Sequence, residues 1–587
     1  MTGYVLLRGG GGRRKRRITT TIVSTTYGIH RKYFPPCRFF FLIFALTNNN
    51  VIINQKHKIM SKLLLLGDEA IAQAFIDAGG SAINSYPGTP STQITEYVMK
   101  SKQAKEQGVV ANWCANEKTA LEASIGVAYS GKRAMTCMKH VGLNVCGDPF
   151  MNASIIGTKG VIIVVADDPS MFSSQDEQDS RYYGHWAMIP MLEPSNQQEA
   201  YDMVFAGYDL SEQLGTPILM RIPTRLAHSR AGVERKPVRA QNPLSSPSDP
   251  KSYVLLPVNA KRLYRDLIDK QPQFTKMSEE CGFNQYIPGD DKSRGIITTG
   301  IAFNYLQENF PGGKCPYPVV KITQYPLPFN MLNKLYDEVQ EILVLEDGQP
   351  FVEEHIKGFL GKGKPVHGRL DETIRRDGEL NAEKVAAALG KPMPKGPAVP
   401  EVVTNRPPAL CQGCPHIDSY QAVIDVMKKY PNGRVFGDIG CYTLGFNMGA
   451  IDTTVCMGAS ITMAKGAAEM GIFPAIGVIG DGTFGHSGMT GLLDCVNEKA
   501  NVVIMILDND ITAMTGGQPS SANMKLFNIC KGLGVDEKHI RHIVPLPKNH
   551  DEFMKILEEE IAYEGVSVII PQRVCIVENK KRIAANK

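Results

Sequence analysis

Two polar clusters in the last third of the chain follow two apolar runs. Gly480-Asp481-Gly482 follows the run at 475–480, and Asp508-Asn509-Asp510 follows the run at 502–507. The carboxyl ends of neighbouring parallel strands lie at one edge of a sheet, where α/β proteins bind ligands. Asp481 and Asn509 carry the oxygen ligands that Mg²⁺ prefers, and glycines let a backbone approach phosphate groups closely. The segment therefore predicts a metal-bridged diphosphate site.

Two other interpretations of this segment stay open. Gly480, Gly482 and Gly485 also satisfy G-x-G-x-x-G, which is typical of dinucleotide-binding folds. Asp481 disfavours that alternative, because a carboxylate between the glycines would repel a bare pyrophosphate. The third interpretation is a glycine turn whose acids only cap the neighbouring elements.

The cysteines indicate metal or redox chemistry in a reducing compartment. Thirteen cysteines in 587 residues are too few for a disulfide-based fold, and Cys411-x-x-Cys414 has the spacing of a metal or redox pair.

From residue 60 onward, short apolar strands alternate with helical patterns, which predicts a multidomain α/β protein with parallel sheets. We expect three domains, at 60–240, 255–392 and 405–587. The predicted linkers are a segment rich in Pro, Ser and Asn at 236–258 and a segment with six prolines at 390–408.

Residues 1–59 form a basic leader with eleven Lys and Arg and no acid, which leaves 53 basic against 59 acidic residues in the remainder. A mildly acidic body disfavours nucleic-acid binding. The longest apolar run, at 39–46, is far shorter than the ~20 residues of a membrane span.

The leader is interpreted as disordered or non-native, with an organelle transit peptide and a secretory signal as alternatives. The predicted location is cytoplasmic, or an organelle if the leader is native.

Several motifs, in order, resemble one enzyme family. Asn509 follows Asp481 by 28 positions, as in the thiamine diphosphate motif, and LDNDITAMTGGQPS resembles the pyrophosphate domain of 2-oxoacid:ferredoxin oxidoreductases. Over about 60–580 the chain resembles the alpha subunits of the indolepyruvate ferredoxin oxidoreductase family. The other motifs that carry this resemblance are SYPGTPST (85–92), NEK (116–118), KHVGLN (139–144), CQGCPHID (411–418) and MGASITMAKGAAE (457–469).

The resemblance implies a thiamine diphosphate-binding fold. Residues 60–240 would form the pyrimidine-binding domain, 255–392 a transketolase-C-terminal-like domain, and 405–587 the pyrophosphate and Mg²⁺ domain.

The resemblance also implies roles for individual residues. Asp481, Asn509 and the Ile511 carbonyl would bind Mg²⁺. The implied cofactor-binding residues are Gly458, Ser460, Gly480, Asp481, Gly482, Thr483, Asn509 and Ile511.

Glu117 matches the carboxylate that hydrogen-bonds the aminopyrimidine ring of thiamine diphosphate. A buried acid that protonates this ring favours the imino tautomer, which takes the thiazolium C2 proton. Without the resemblance, a lone Glu at a helix start indicates a cap or a salt bridge. Thr89 matches a loop residue near the 2-oxoacid substrate, and His140, Asn144 and Arg181 are weaker candidates for that end of the site.

Four cysteines resemble the ligands of a [4Fe–4S] cluster in related oxidoreductases. They are Cys411, Cys414, Cys441 and Cys575, and soft thiolates suit such a centre. The alternative is that Cys411 and Cys414 form a structural or redox pair while the other two are small buried residues. The family's C-terminal ferredoxin-like domain has a CxxCxxC run that does not occur in this sequence. Three explanations stay open: the chain is truncated, the electrons leave through another polypeptide, or the protein is not an oxidoreductase.

The implied reaction is oxidative decarboxylation of arylpyruvates. Indole-3-pyruvate, CoA and oxidised ferredoxin would give indole-3-acetyl-CoA, CO₂ and reduced ferredoxin. The implied partner is a small beta subunit, in a heterodimer or a dimer of heterodimers. A non-oxidative 2-oxoacid decarboxylase and a catalytically silent scaffold subunit are the alternatives.

Overall fold

The structure, a computed structural model, describes residues 62–585 except 246, 311, 313, 359–362, 376, 393–397, 405–407 and 455. The predictions for the basic leader at 1–59 lie outside the described residues. Helices and parallel sheets alternate along the described chain, so the predicted α/β class is confirmed. No helix among the described residues is long and apolar enough to cross a membrane.

The first sheet has seven strands, and all neighbours are parallel except at one edge, where the two-residue strand Gln324–Tyr325 pairs antiparallel with Met191–Leu192. In spatial order the strands are Gln324–Tyr325, Met191–Leu192, Ile218–Pro223, Val161–Asp167, Ala134–Lys139, Ala82–Ser85 and Val110–Trp113. Its helices are Gly67–Asp77, Thr92–Lys100, Lys102–Glu106, Glu117–Tyr129, His140–Val145, Gly147–Ile156, Arg181–Trp186, Gln197–Leu214 and Thr224–His228. A separate antiparallel pair joins Lys62–Leu66 to Arg230–Glu234.

The second sheet has five strands in the order Val366–His367, Glu341–Leu345, Arg294–Thr299, Val319–Ile322 and Gln285–Ile287, of which the last is antiparallel to its neighbour. The helices of this region are Pro257–Glu280, Ala302–Glu308, Phe329–Glu338, Phe351–Lys357 and Ala382–Ala388, after the 3₁₀ turn Pro250–Tyr253.

The third sheet has six parallel strands in the order Thr453–Thr454, Arg434–Gly437, Ala475–Gly480, Val502–Leu507, Val566–Pro571 and Ile540–Ile543. Its helices are Pro415–Met427, Ala459–Glu469, Asp481–Thr483, Met489–Asn497, Leu526–Gly532, His550–Ala562 and Ile576–Ala585. A hairpin pairs Ile511–Thr512 with Gln518–Pro519. The remaining turns are 3₁₀ at Cys441–Met448, Ala513–Thr515, Glu537–His539 and Pro547–Asn549, and π at Phe484–Gly488.

The central strands are apolar on both faces because helices cover both sides of each sheet. Every residue of Val161–Asp167, Ala475–Gly480 and Val502–Leu507 is buried. Continuous apolar runs are typical of such doubly covered parallel strands. Polar residues consequently occur where these strands end, and this places them at the edges that bind ligands.

A buried charge network joins the first sheet to the second. The Arg221 guanidinium donates to the carboxylates of Asp167 at 2.5 Å and Glu193 at 2.6 Å, and to the backbone carbonyl of Asp347 at 2.8 Å. Arg181, fully buried beside it, donates to Glu346 at 2.9 Å. Because a buried charge is costly unless it is paired, each arginine offsets the desolvation of its neighbouring carboxylates.

We predict that Arg221→Met strongly destabilises this part of the molecule. The change leaves the carboxylates of Asp167 and Glu193 buried without their closest cation, which costs about 3–5 kcal/mol of unfolding free energy. Arg239→Met is the matched control, because Arg239 pairs with Asp209 at the surface and an exposed pair contributes less than about 1 kcal/mol. Urea denaturation followed by circular dichroism measures both. Equal losses in the two variants would contradict the structural role of the network.

Candidate active site

One cavity of about 240 Å³ lies where the first and third sheets present the loops that follow their strands. The strands Ala475–Gly480 and Val502–Leu507 end at this cavity, and so does Ala82–Ser85 of the first sheet. Loops after parallel strands gather at one edge, so two sheets can enclose a ligand between their carboxyl edges. The lining residues include Tyr86, Thr89, Glu117, Lys139, Gln175, His416, Tyr442, Gly480, Asp481, Gly482, Thr483, Asn509, Ile511 and Met514.

The cavity brings together most of the residues that the sequence suggested. Those that line it are Thr89, Glu117, Gly480, Asp481, Gly482, Thr483, Asn509 and Ile511. Gly458 and Ser460 do not line it, because their backbone N–H groups donate to the carboxylate of Asp438 at 3.1 and 3.2 Å. Contact of these two residues with a diphosphate stays a prediction.

Asp481 is a buried carboxylate of this site with an unused oxygen. Its Oδ2 atom has no hydrogen-bond partner among the described residues. Burial, and then the negative charge of Asp508, raise the pKa of Asp481 to about 7. Burial also raises the pKa of Asp508, whose Oδ2 accepts a hydrogen bond from Gln572 at 2.7 Å. Two neighbouring buried carboxyl groups with one orphan oxygen are a donor set that fits a hard divalent cation.

Asn509 is held in one orientation by two neighbours. The backbone N–H of Ile511 donates to its Oδ1 at 3.2 Å, and its Nδ2 lies 3.2 Å from Nε2 of His416. Because a backbone N–H can only donate, Oδ1 must face Ile511, and His416 must accept from Nδ2. Burial, followed by the positive charge of Arg573, lowers the pKa of His416 to about 4, which agrees with an accepting, neutral imidazole.

Glu117 begins the helix Glu117–Tyr129 and reaches the cavity from the first sheet. Its Oε2 atom accepts a hydrogen bond from Nε2 of His486 at 2.8 Å, and both side chains are almost fully buried. Gly142 makes room for the carboxylate, because a Cβ atom there would lie 2.5 Å from Oε1. The carboxylate therefore has one oxygen bound by His486 and one without a hydrogen-bond partner among the described residues.

The weaker candidates for the substrate end do not line the cavity. His140 bonds Asp176 at 3.2 Å, the amide oxygen of Asn144 accepts from Tyr183, and Arg181 belongs to the buried charge network. Each therefore has a structural partner. Sequence reasoning missed His416 and His486. His416 stood inside CQGCPHID, directly after the cysteine pair, whereas nothing local indicated His486.

A second cavity of about 270 Å³ is lined by all four cysteines of the predicted cluster, Cys411, Cys414, Cys441 and Cys575. None of them forms a disulfide. The described residues contain no group of three or more His, Cys, Asp or Glu side chains that could hold a metal ion. The two cavities share part of their lining, namely His416, Cys441, Asn509, Ile511 and Ala513.

Two segments of the chain match protein families that bind thiamine diphosphate. Residues 73–277 match the family described as pyruvate flavodoxin/ferredoxin oxidoreductase, thiamine diphosphate-binding. Residues 438–570 match the C-terminal thiamine pyrophosphate-binding domain of thiamine pyrophosphate enzymes. Glu117 lies in the first segment and Asp481 and Asn509 lie in the second, so both segments meet at the first cavity. The predicted thiamine diphosphate-binding fold is thereby confirmed.

Curated relatives extend the similarity over most of the chain. Indolepyruvate oxidoreductase subunit IorA of Archaeoglobus fulgidus is 33% identical over 547 residues, which cover 88% of this chain and 87% of that protein. The subunits of the same name from Methanothermobacter thermautotrophicus and Thermococcus kodakarensis are 34% and 33% identical, over 88% of this chain and 87% and 86% of those proteins. A solved structure, of the 2-oxoglutarate:ferredoxin oxidoreductase from Magnetococcus marinus, is 15% identical and covers 56% of this chain and 65% of that chain, with a TM-score of 0.46. At the identity and coverage of the curated relatives, the chain belongs to the indolepyruvate oxidoreductase alpha-subunit family of thiamine diphosphate-dependent oxidoreductases.

Proposed function

We propose that the chain is the alpha subunit of an indolepyruvate:ferredoxin oxidoreductase. It would oxidatively decarboxylate arylpyruvates, transfer the acyl group to CoA and pass electrons to ferredoxin, together with a smaller beta subunit. The observation that carries this proposal is the first cavity, where Glu117 from one thiamine-binding segment faces Asp481 and Asn509 from the other. The names of the curated relatives support the choice of substrate and the need for a second subunit.

Asp481, Asn509 and the Ile511 carbonyl are the proposed Mg²⁺ ligands. The orphan Oδ2 of Asp481 is suited to a metal, and Asn509 is already oriented by its two neighbours. Gly482 packs closely against Thr512, since a Cβ atom there would lie 2.9 Å from Oγ1 of Thr512. A metal held by these oxygens would neutralise a diphosphate placed against the glycines.

Glu117 is the proposed proton carrier of the first cavity. When bound, thiamine diphosphate supplies a nucleophilic carbon for the substrate's keto group and accepts the electrons released as CO₂ leaves. The task of Glu117 would be to exchange a proton with the pyrimidine ring through Oε1, which has no hydrogen-bond partner among the residues that the structure describes. Its burial excludes water from that exchange. Thr89, in the same cavity wall, is a proposed hydroxyl donor to the substrate's carboxylate or oxyanion.

The second cavity is the proposed site of a [4Fe–4S] cluster that removes the electrons. Its four cysteines supply the soft ligands that such clusters need. The shared lining of the two cavities supports this assignment, because electrons would leave the first cavity through a thin wall of side chains. A non-oxidative decarboxylase would have no use for this second cavity.

We predict that Glu117→Gln lowers turnover by about 10²–10⁴-fold while most diphosphate binding remains. The amide cannot exchange the proton, whereas the Mg²⁺ ligands are unchanged. The measurement is anaerobic reduction of a redox dye that depends on CoA and indole-3-pyruvate, with the co-purified partner subunit. Glu122→Gln is the control, since Glu122 lies exposed on the same helix and pairs with Lys118. Full activity of Glu117→Gln would disprove the proton-carrier role.

We predict that Asp481→Ala weakens thiamine diphosphate binding by more than about 100-fold at a fixed Mg²⁺ concentration, because a charged ligand is lost. Calorimetric titration of the cofactor measures this affinity. Asp494→Ala removes an exposed carboxylate from the helix Met489–Asn497 in the same region and should bind normally. Unchanged affinity in Asp481→Ala would exclude this carboxylate as the metal ligand.

We predict that Cys414→Ser and Cys575→Ser each reduce the iron and sulfide content and the brown colour of anaerobically prepared protein. Cys456→Ser, which changes an exposed thiol that does not line the second cavity, should keep both. Iron and sulfide analysis with visible absorbance provides the measurement. A colourless wild-type protein that still binds thiamine diphosphate would favour the non-oxidative decarboxylase instead.

A further inference from the structure

His486 connects the two halves of the chain at the carboxylate of Glu117. Its Nε2 atom lies 2.8 Å from Oε2 of Glu117, and its Nδ1 atom contacts the hydroxyl of Ser487. Glu117 and His486 are each 5% exposed, so this contact is shielded from water. His486 is not part of the lining of the first cavity. It lies behind the carboxylate and can act on a ligand only through Glu117.

The hydrogen-bond directions around His486 follow from its partners. A carboxylate only accepts, so Nε2 carries the hydrogen that it donates to Glu117. The Ser487 hydroxyl can then donate to Nδ1, and a neutral imidazole meets both demands at once. Glu117 thus requires the Nε2–H tautomer, and the Ser487 hydroxyl fits it by donating to Nδ1.

The imidazole is also fixed in position by neighbours from the first sheet. The Tyr86 ring packs edge-on against it, with centroids 4.7 Å apart. The Asn116 amide, adjacent to Glu117 in the chain, donates to the backbone carbonyl of His486 at 3.1 Å. The His486 backbone lies in the π-helical turn Phe484–Gly488, a rare conformation that often marks functional sites. Both the ring and the backbone are therefore held against the helix that begins with Glu117.

We infer that His486 is a positioning residue for the proton exchange of Glu117, an assignment that rests on the function proposed above. It holds Oε2, which orients the carboxylate and leaves Oε1 for the pyrimidine ring. Oε1 accepts no hydrogen bond from a described residue, and Gly142 keeps side-chain atoms away from it. The hydrogen bond from Nε2 also stabilises the negative charge left on the carboxylate once its proton is on the ring. The proton is the one atom that is transferred in this exchange, from the carboxyl group of Glu117 to the ring.

The test compares three substitutions of His486 in the complete enzyme. In His486→Gln the amide nitrogen extends about as far as Nε2 and can still donate to Glu117. In His486→Asn the amide is too short to reach it, and in His486→Leu no donor remains. We expect kcat to fall about 10- to 100-fold in the Asn and Leu variants, the cost of one hydrogen bond to a charged group. We expect the His486→Gln variant to retain most of the wild-type kcat.

A second readout separates positioning from simple packing between the two halves. Near-ultraviolet circular dichroism of bound thiamine diphosphate reports the amino and imino tautomers of its ring. We expect the imino signal to decrease in the His486→Asn and His486→Leu variants and to return in the His486→Gln variant. The dissociation constant of the cofactor should change less than about threefold in all three. A packing role alone would weaken binding and thermal stability in all three variants without a tautomer change, and this outcome would overturn the inference.

The controls distinguish the failure of this inference from the failure of the proposed function. If wild-type protein binds no thiamine diphosphate, the proposed function is wrong. If wild type binds it and turns over, but the Asn variant keeps wild-type kcat and tautomer signal, only the role of His486 is wrong. If the Leu variant does not fold, the comparison of Gln with Asn still decides, since both are polar and differ mainly in reach. Ser487→Ala, which removes only the partner of Nδ1, should lower the imino signal less than Asn does.

Discussion

The site depends on one constraint, that a ligand with two chemically different ends must be enclosed by two sheets that are far apart in sequence. Parallel strands deliver their polar loops to a single edge, so each sheet can serve only one end. Glu117 comes from the first sheet and Asp481 from the third, and they line the same cavity. Glu117 and His486, 369 positions apart, make one of the hydrogen bonds that connect the two edges. The described chain thus supplies the residues proposed for both ends of the cofactor.

The balance of buried charge separates the structural part of the molecule from its reactive part. Arg181 and Arg221 are surrounded by carboxylates that they neutralise, which fits a joint between two sheets. Asp481 and Asp508 are buried with no arginine ion pair among the described residues, and burial, followed by the charge of Asp508, raises the pKa of Asp481 to about 7. Carboxyl groups with such strongly raised pKa values cluster at functional sites. This contrast explains why Arg181, although fully buried near strand ends, is not part of the candidate active site.

The sequence predicted those features that have local patterns. The α/β class followed from alternating apolar runs, and Asp481 and Asn509 followed from their positions directly after two of those runs. Glu117 needed the family resemblance, because a lone acid at a helix start has no distinctive pattern. His486 and the edge strand Gln324–Tyr325 could not be predicted, since both depend on partners distant in sequence and the strand has only two residues. The link from Gly458 and Ser460 to Asp438 depends likewise on tertiary contacts.

The segment after Val566–Pro571 links the proposed Mg²⁺ ligands to the cysteine cavity. The backbone N–H groups of Arg573 and Cys575 donate to the carbonyls of Asp508 and Asn509 at 3.0 and 3.2 Å, which extends the edge of the third sheet by one loop. The Arg573 guanidinium also donates to the carbonyl of Gly413, between the paired cysteines, at 2.8 Å. One short segment therefore fixes a proposed cluster ligand, the loop of two others and the backbone of a proposed Mg²⁺ ligand. Because these positions are connected by direct hydrogen bonds, the distance between the two cavities is set by the fold itself and does not depend on a mobile connection.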